Sequence, residues 1–531
     1  MTNQPKRMGI HYSIFENFVK ENRIYVDKTK HIYNLITAPE YNHFYFVSRP
    51  RRFGKSLFIS TLKAIFLGKK ELFNEYWIGK NGNYEWQTHP IIHLDFGGIV
   101  HKLPEQFEQN FCLALRSIAK QYGADELEGT NPGRLLQDLV QKIAIHGKIV
   151  LLIDEYDKPI VDHIDNLQIA EENRKILGSF YTTVKSLEAD WRAIFITGVS
   201  KFSKTSLFSG LNNLTELSLD PIAAELFGYT EQELITYYSP QIDALAHHIG
   251  KTREVVLTDL KNWYDGYRFC DDFTKPQMYN PLSVTTCLAN KKFANYWFNT
   301  GSPGFLIALL RKKGISLELN EPIEMPMSGL ESIDINNIPL YTLLLQTGYL
   351  TIVDYDPSVE AFTLNYPNQE VRKSFKDYLV QAFAYTTPDV LQMELVRMRR
   401  ALLEQNFETF CRAIKILFAG IPYNLHIPRE SYYHSLIHLM FDLLGMKPQS
   451  EVASSSGRSD LVLETANTIF IFEFKYDGSA QQALDQIIQK KYYEKYMHSN
   501  KAITLVGINM NFKDKNVEFE WVQQNVQKIK N

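Results

Sequence analysis

The chain has little cysteine, and what it has shows no pairing pattern. Cys112, Cys270, Cys287 and Cys411 are scattered through 531 residues without a Cys-x-x-Cys spacing. That argues against a disulfide framework and against a cysteine-built zinc site. No uninterrupted apolar run approaches membrane-spanning length, and the opening stretch MTNQPKRMGIHYSIF lacks an apolar signal core. An excess of either charge is missing as well. There are 57 Lys+Arg against 60 Asp+Glu, a net charge of −3, so no overall basic field advertises nucleic acid. Residues 401–531 hold 14 of each sign, so any grip on nucleic acid there must come from a local face or a metal. These absences lead us to expect a cytoplasmic protein that does not engage a membrane. Its 45% hydrophobic content supplies real cores, and its length suits two to four domains.

One further absence lies inside the stretch that organises the chain, 43–66. Phe44-Tyr45-Phe46-Val47 reads as a buried strand. Leu57, Ile59, Leu62, Ile65 and Phe66 recur at helical spacing. Between them stands Arg49-Pro50-Arg51-Arg52-Phe53-Gly54-Lys55-Ser56. Strand, tight loop with Gly-Lys-Ser, then helix is the order of a phosphate-binding loop. Gly54 would let backbone N–H groups approach a phosphate at the helix N-terminus. Lys55 would reach the β- and γ-phosphates, and the Ser56 hydroxyl would ligate Mg²⁺. Arg52, Phe53 and Leu57 complete the expected nucleotide-binding stretch. The full pattern would place glycine at 49, where the chain has arginine. Gly-Lys-Ser by itself is equally a basic turn between a strand and a helix.

Residues 148–158, KIVLLIDEYDK, add the second half of a nucleotide site. Five apolar residues ending in a carboxylate suit a strand buried on both faces of a parallel sheet. Asp154 at its end would hold Mg²⁺, and Glu155 would orient the attacking water. The next apolar strand ends in Thr197-Gly198-Val199-Ser200. Thr197 or Ser200 would sense the γ-phosphate if this strand lies between the other two; a plain Ser/Thr turn is the alternative. A fifth strand falls at about 214–219. Arg192, Lys201 and Lys204 could supply a further cation, unless a neighbouring subunit does.

Farther on the rhythm changes. Residues 231–330 read as helices forming a lid. In 331–390 a helix, two strands and a helix follow in winged-helix order. Acidic Asp354, Asp356 and Glu360 at the wing tip argue against contact with phosphates, which favours a spacer or a protein-docking role. Helices continue through 391–428, closed by Gly420-Ile421-Pro422.

From 429 the order is helix, three strands, helix, strand. Asp460 opens one strand, and Glu473-Phe474-Lys475 ends the next. Residues i and i+2 of a strand share a face, so Glu473 and Lys475 point together and Asp460 can join them. Asp460 and Glu473 would supply hard oxygen ligands for Mg²⁺ or Mn²⁺. Lys475 would place water or stabilise phosphate charge. Glu430 would add a further metal carboxylate, and Gln486 is another candidate. Lys490, Lys491 and Lys495, interleaved with tyrosines, either contact a nucleic-acid backbone or form a solvated helix face. His434 and His438 share a helix face, but no cysteine or third histidine supports zinc there; His434 reads as packing or as a group behind the metal ligands.

These motifs in combination resemble a bacterial AAA-ATPase-like family fused to a C-terminal PD-(D/E)XK nuclease domain. The resemblance rests on Tyr25-Val26-Asp27-Lys28-Thr29, on 49–56 and on 152–157. It continues through Thr197–Ser203, Ser209–Leu214, Trp263–Tyr267 and Tyr279-Asn280-Pro281. It covers nearly the whole chain, and a missing first glycine is usual in that family. It implies an α/β fold: a P-loop NTPase domain with a three-layer parallel sheet (1–230), the helical lid (231–330), the winged-helix-like segment (331–390), a helical hinge (391–428) and a restriction-endonuclease-like domain (429–531). ATP, Mg²⁺ and nucleic acid, DNA ahead of RNA, are the implied ligands, and self-association is expected. The architecture suggests defence against phage or mobile elements. The rival expectation is a regulatory ATPase switch whose nuclease-like domain only binds nucleic acid or a protein partner.

Overall fold

The first strand, Phe44–Ser48 (β1), is buried at every position. So is Ile149–Asp154 (β3). Strands apolar on both faces belong inside a covered parallel sheet. The computed structural model places them so. With Ile91–Asp95 (β2), Trp191–Gly198 (β4) and Thr215–Glu216 (β5) they form a five-stranded sheet in the order β2-β3-β4-β1-β5. Every pairing is parallel. Strand β4 lies between β1 and β3. Helix Lys55–Phe66 packs on β3 and β4, and helix Pro104–Gln121 on β2. The last strand is shorter than its sequence suggests, two residues in place of about six.

The structure describes residues 6–39, 42–201, 211, 213–298, 306, 322–330, 338–419, 430–444, 449–454, 457–513 and 516–526. They separate into two compact units, Met1–Lys312 with Glu321–Arg372, and a second dominated by Lys373–Asn531. Phe202, Ser203, Lys204, Ser209, Gly210, Asn212, the turn at 299–304 and Gly420-Ile421-Pro422 lie outside the described residues. Among the described residues no helix is long and apolar enough to cross a membrane.

Within the first unit, helices Glu231–Ile249, Arg253–Tyr264 and Pro281–Asn290 share one apolar cluster with Ile24 and Val26. Thr230 caps the first of them through a capping box with Glu233. The helix–strand–strand–helix reading downstream holds: Leu340–Thr347, Thr351–Asp356 (β7), Ala361–Asn365 (β8) and Gln369–Phe383. Asp354, Asp356 and Glu360 are exposed there. The stretch read as wholly helical also contains a strand, Ile323–Pro326 (β6), which pairs with β8.

The second unit carries a mixed sheet of Gln449–Ser454 (β9), Gly457–Glu464 (β10), Thr468–Tyr476 (β11), Ala502–Lys513 (β12) and Asn516–Asn525 (β13), ordered β13-β12-β11-β10-β9. Only β11 and β12 run parallel. Helix Ala480–Gln489 joins those two and packs across them. The sheet has one strand more than the sequence reading, β13. Helix Glu430–Leu443 packs on β11.

Candidate functional sites

Arg49 explains how the loop does without its first glycine. Its backbone N–H donates to the Gly198 carbonyl at 3.0 Å, tying the loop to β4. Its guanidinium turns away from the loop's open face and is 1% exposed. There it donates to the carbonyls of Ser48, Ser218 and Ala223 at 2.7–3.0 Å and lies 4.4 Å from the ring centre of Phe269. Phe53 is buried beside it, edge-on to Tyr267 and Phe269. The loop is thus anchored from behind. Arg52 and Gly54 take left-handed backbone, φ +69° and +94°, and the helix begins at Lys55. Burial lowers the Lys55 pKa, opposed by Asp154, Glu155 and Asp157. Its ammonium donates to the Arg49 and Pro50 carbonyls at 2.9 and 3.0 Å.

Arg52, Phe53, Gly54, Lys55, Ser56 and Leu57 all line one cavity of about 480 Å³. Glu155, Asp157 and Lys158 form part of its wall, as do Gly9, His11, Tyr12, Ser13 and Val26 from the entry segment. Asp154 sits behind that wall, 4% exposed, accepting from Thr197 Oγ1 at 2.6 Å and from the Glu155 N–H at 3.0 Å. Glu155 has φ +51°, and burial, followed by the Asp154 charge, raises its pKa. Ser200 is fully buried, and its backbone N–H donates to Asp157 at 2.6 Å. Thr197 and Ser200 therefore flank the strand ends rather than the cavity. Asp157 also accepts from the Val199 N–H, and burial raises its pKa.

Of the cations weighed from sequence, Arg192 is engaged with His43 and the Ile36 carbonyl, and Lys201 with Glu216. Beside Arg52 and Lys55 of the loop, Lys158 also lines the cavity, ion-paired to Asp162 at 2.8 Å. Asp157 and Lys158 carried a signal in the run DEYDK. Trp297, Thr347 and Tyr349 also line the cavity, and no local pattern marks them. The turn Tyr264–Tyr267 is structural: Gly266 has φ +102°, and a Cβ there would lie 2.0 Å from the Pro367 carbonyl oxygen.

In the second unit Leu461 pairs with Phe472 across β10 and β11, which sets Asp460 beside Glu473. The Asp460 N–H lies 3.4 Å from Glu473 Oε2, and Asp460 Oδ2 accepts from the Phe474 N–H at 2.8 Å. Glu473 is 1% exposed and accepts from the Gln486 amide. Lys475 Nζ lies 3.7 Å from Glu473 Oε1. Asp460, Glu473, Lys475 and Gln486 are thus brought together. Tyr492 is buried behind them, its pKa raised by that burial. Two carboxylates beside an ammonium suit a hard divalent cation held by oxygen. Among the described residues no three His, Cys, Asp or Glu side chains gather as a metal cage. Glu430 opens its helix, but its side chain and that of His434 lie outside the described residues. The helix ends at Gln489. Beyond it Lys491 pairs with Glu494, and Lys495 lies over the Tyr496 ring.

Residues 7–208 match the AAA-ATPase-like family, described as predicted AAA-ATPases. Residues 428–520 match the PD-(D/E)XK nuclease superfamily. A protein of Azotobacter chroococcum mcd 1, described as an uncharacterized protein in the vnfD 5' region, is 33% identical over 495 residues, covering 91% of this chain and 92% of that protein. No solved structure matches. The two family matches point to an ATPase and to a nuclease, a nucleotide and a divalent metal being the groups such domains generally use. The strand order, the loop anchored at Arg49 and the Asp460–Glu473–Lys475 cluster agree with those matches, and the chain belongs to the AAA-ATPase-like family that carries a PD-(D/E)XK nuclease domain at its C-terminus.

Proposed function

We propose that the chain binds and hydrolyses ATP in the cavity at the Arg49–Ser56 loop, and that its nucleotide state controls cleavage of nucleic acid at Asp460, Glu473 and Lys475. The observation that carries this reading is the joint placement of Lys55, Ser56 and Glu155 on one cavity wall. Lys55 leaves the Arg49 and Pro50 carbonyls and turns to the β- and γ-phosphates. The first N–H groups of the Lys55–Phe66 helix face the same phosphates. Ser56 and Asp154 hold Mg²⁺, with Asp154 kept in place by Thr197. Glu155, its pKa raised, takes the proton of the attacking water. Lys158 lends positive charge from the same chain. Gly9, His11, Tyr12, Ser13 and Val26, which line the same cavity, would receive the nucleoside.

In the second unit Asp460 and Glu473 hold Mg²⁺ or Mn²⁺. Bound metal there supplies Lewis acidity at the scissile phosphate. Gln486 fixes the Glu473 carboxylate, and Lys475 positions water or stabilises phosphate charge. DNA is the preferred substrate, the cytoplasm the location, and defence against phage or mobile elements the setting that this pairing of domains suggests.

The test incubates the full chain with Mn²⁺ and labelled DNA and RNA, with and without ATP, beside Lys55→Ala and Glu155→Gln. Lys55→Ala loses ATP binding. Glu155→Gln keeps binding and turns over about 10²-fold more slowly. Binding of nucleic acid without cleavage in every condition would favour the regulatory switch instead.

A further inference from the structure

Three consecutive carbonyls of the loop accept hydrogen bonds from side chains. Arg49 and Pro50 accept from Lys55. Arg51 accepts from the indole Nε1–H of Trp297 at 3.1 Å. Trp297 comes from 246 residues farther along the chain. It is 5% exposed and stands edge-on to Tyr349, ring centres 5.2 Å apart. Its own backbone N–H, with that of Tyr296, donates to one carboxylate oxygen of Glu370, at 2.8 Å for Trp297. Glu370 is 1% exposed and lies in the first turn of helix Gln369–Phe383. Asn368, just ahead of that helix, donates to the Asp265 carbonyl at 2.8 Å and accepts from the Val371 N–H. The helix is therefore clamped at its start by two side chains, and one of them leads in two bonds to the phosphate-binding loop.

We propose that Trp297, held by Glu370, is a positioning residue for the phosphate-binding loop and passes the loop's nucleotide state to helix Gln369–Phe383. This rests on the reading of that loop as the ATP site.

The physical argument concerns where the donors go. When Lys55 turns to a phosphate, the Arg49 and Pro50 carbonyls lose both of their N–H partners. A peptide plane left without its donor rotates toward another one, and the Arg51 peptide is the next unit along. Its carbonyl is the one the indole holds. Trp297 cannot absorb the change alone. Its ring is packed against Tyr349, and its backbone N–H, with that of Tyr296, is bonded to one oxygen of the buried Glu370 carboxyl, which has no water to turn to instead. The shift is delivered to Glu370. A helix is stiff along its axis, so a displacement in its first turn reaches its later ones.

The test uses the full chain and four variants. Trp297→Phe keeps the ring and removes the indole N–H. Glu370→Ala removes the acceptor, whereas Glu370→Gln keeps an oxygen that accepts both N–H groups. Lys55→Ala tests the loop reading on its own. Nucleotide affinity is measured by calorimetry with MgATP and MgADP, and thermal melting checks that each variant folds. Hydrogen exchange is followed for the amides of 371–383. In the wild-type chain MgATP changes the exchange of those amides. Trp297→Phe and Glu370→Ala lose that change and bind MgATP up to about tenfold more weakly, and Glu370→Gln retains it. Wild-type MgATP affinity in Lys55→Ala means that the loop reading has failed. Loss of binding in Lys55→Ala, with a wild-type exchange response in Trp297→Phe or none in the parent chain, overturns the present inference alone.

Discussion

Thr197 Oγ1 donates to Asp154 Oδ1 at 2.6 Å, binding the ends of two neighbouring strands together through side chains. Both residues are buried. The bond leaves Asp154 one orientation and occupies the hydroxyl that could otherwise have faced a phosphate.

Replacing Thr197 by valine keeps the shape and removes the donor. We expect ATP turnover to fall by about tenfold, with nucleotide affinity changed less than about threefold, because an orienting partner of a ligand group is lost and the ligand group is not. Steady-state kinetics beside calorimetry checks this. An affinity loss as large as the rate loss would mean that Thr197 meets the nucleotide directly.

The pH profile of ATP hydrolysis reports on Glu155. Burial and the neighbouring Asp154 raise its pKa. A base works deprotonated, so the rate rises with pH, and the acid limb is displaced upward from where an exposed glutamate would put it. Glu155→Gln should lose that limb along with most of the rate. A limb that persists in the variant assigns the titration to another group.

Asp460→Ala removes an oxygen ligand, so Mn²⁺ binding in the second unit and cleavage should vanish together. Lys475→Ala should lose cleavage and keep most of the binding, since an ammonium has no lone pair for a metal. Gln486→Leu should weaken Mn²⁺ by about tenfold or more, because Glu473 loses the amide that orients it. All three should hydrolyse ATP. Calorimetric titration with a cleavage assay separates them, and full cleavage by both Asp460→Ala and Lys475→Ala would end the assignment.

Glu370 makes stability depend on pH. Burial raises its pKa from 4.5 to about 7 in the folded chain. A raised carboxyl contributes stability that is fully present below pH 4.5 and lost as pH rises through 7. Glu370→Gln removes that titration. Its denaturation midpoint should therefore rise relative to the parent between pH 5 and pH 8, by up to roughly 3 kcal/mol in free energy. A difference independent of pH would mean that the carboxyl is already ionised at pH 5.

The sheet of the first unit was legible because burial on both faces writes itself into sequence. The run Ile149–Ile153 admits few other readings; that β4 falls between β1 and β3 was only a condition of the Thr197/Ser200 reading, since an apolar strand ending in Ser/Thr carries no information about its neighbours. The Asp460–Glu473–Lys475 cluster was legible because strand periodicity and one hairpin determine it. The strands β6 and β13 were missed. In β13 Val517, Phe519 and Trp521 alternate with Asn516, Glu518 and Glu520, and Phe519 and Trp521 pack on Phe418 and Phe407. The alternation is present and was not taken as a strand, while the rest of the strand, Gln523, Gln524 and Asn525, is polar and exposed. Trp297 escaped notice for another reason. Its meaning lies in the Arg51 carbonyl, a partner that no spacing encodes.

The parked ammonium of Lys55 has a consequence for selectivity. A buried cation already satisfied by two carbonyls is no open trap for sulfate or for a lone phosphate. An incoming anion must replace two charge-assisted hydrogen bonds, each worth about 1.5–3 kcal/mol, before any net attraction is felt. We expect a ligand that brings several phosphate oxygens and a nucleoside to clear that threshold and a buffer anion to fail, which calorimetry with MgATP beside sulfate and inorganic phosphate checks. On the proposed reading of this site, the loop would discriminate through its own backbone carbonyls, before any contact to a base.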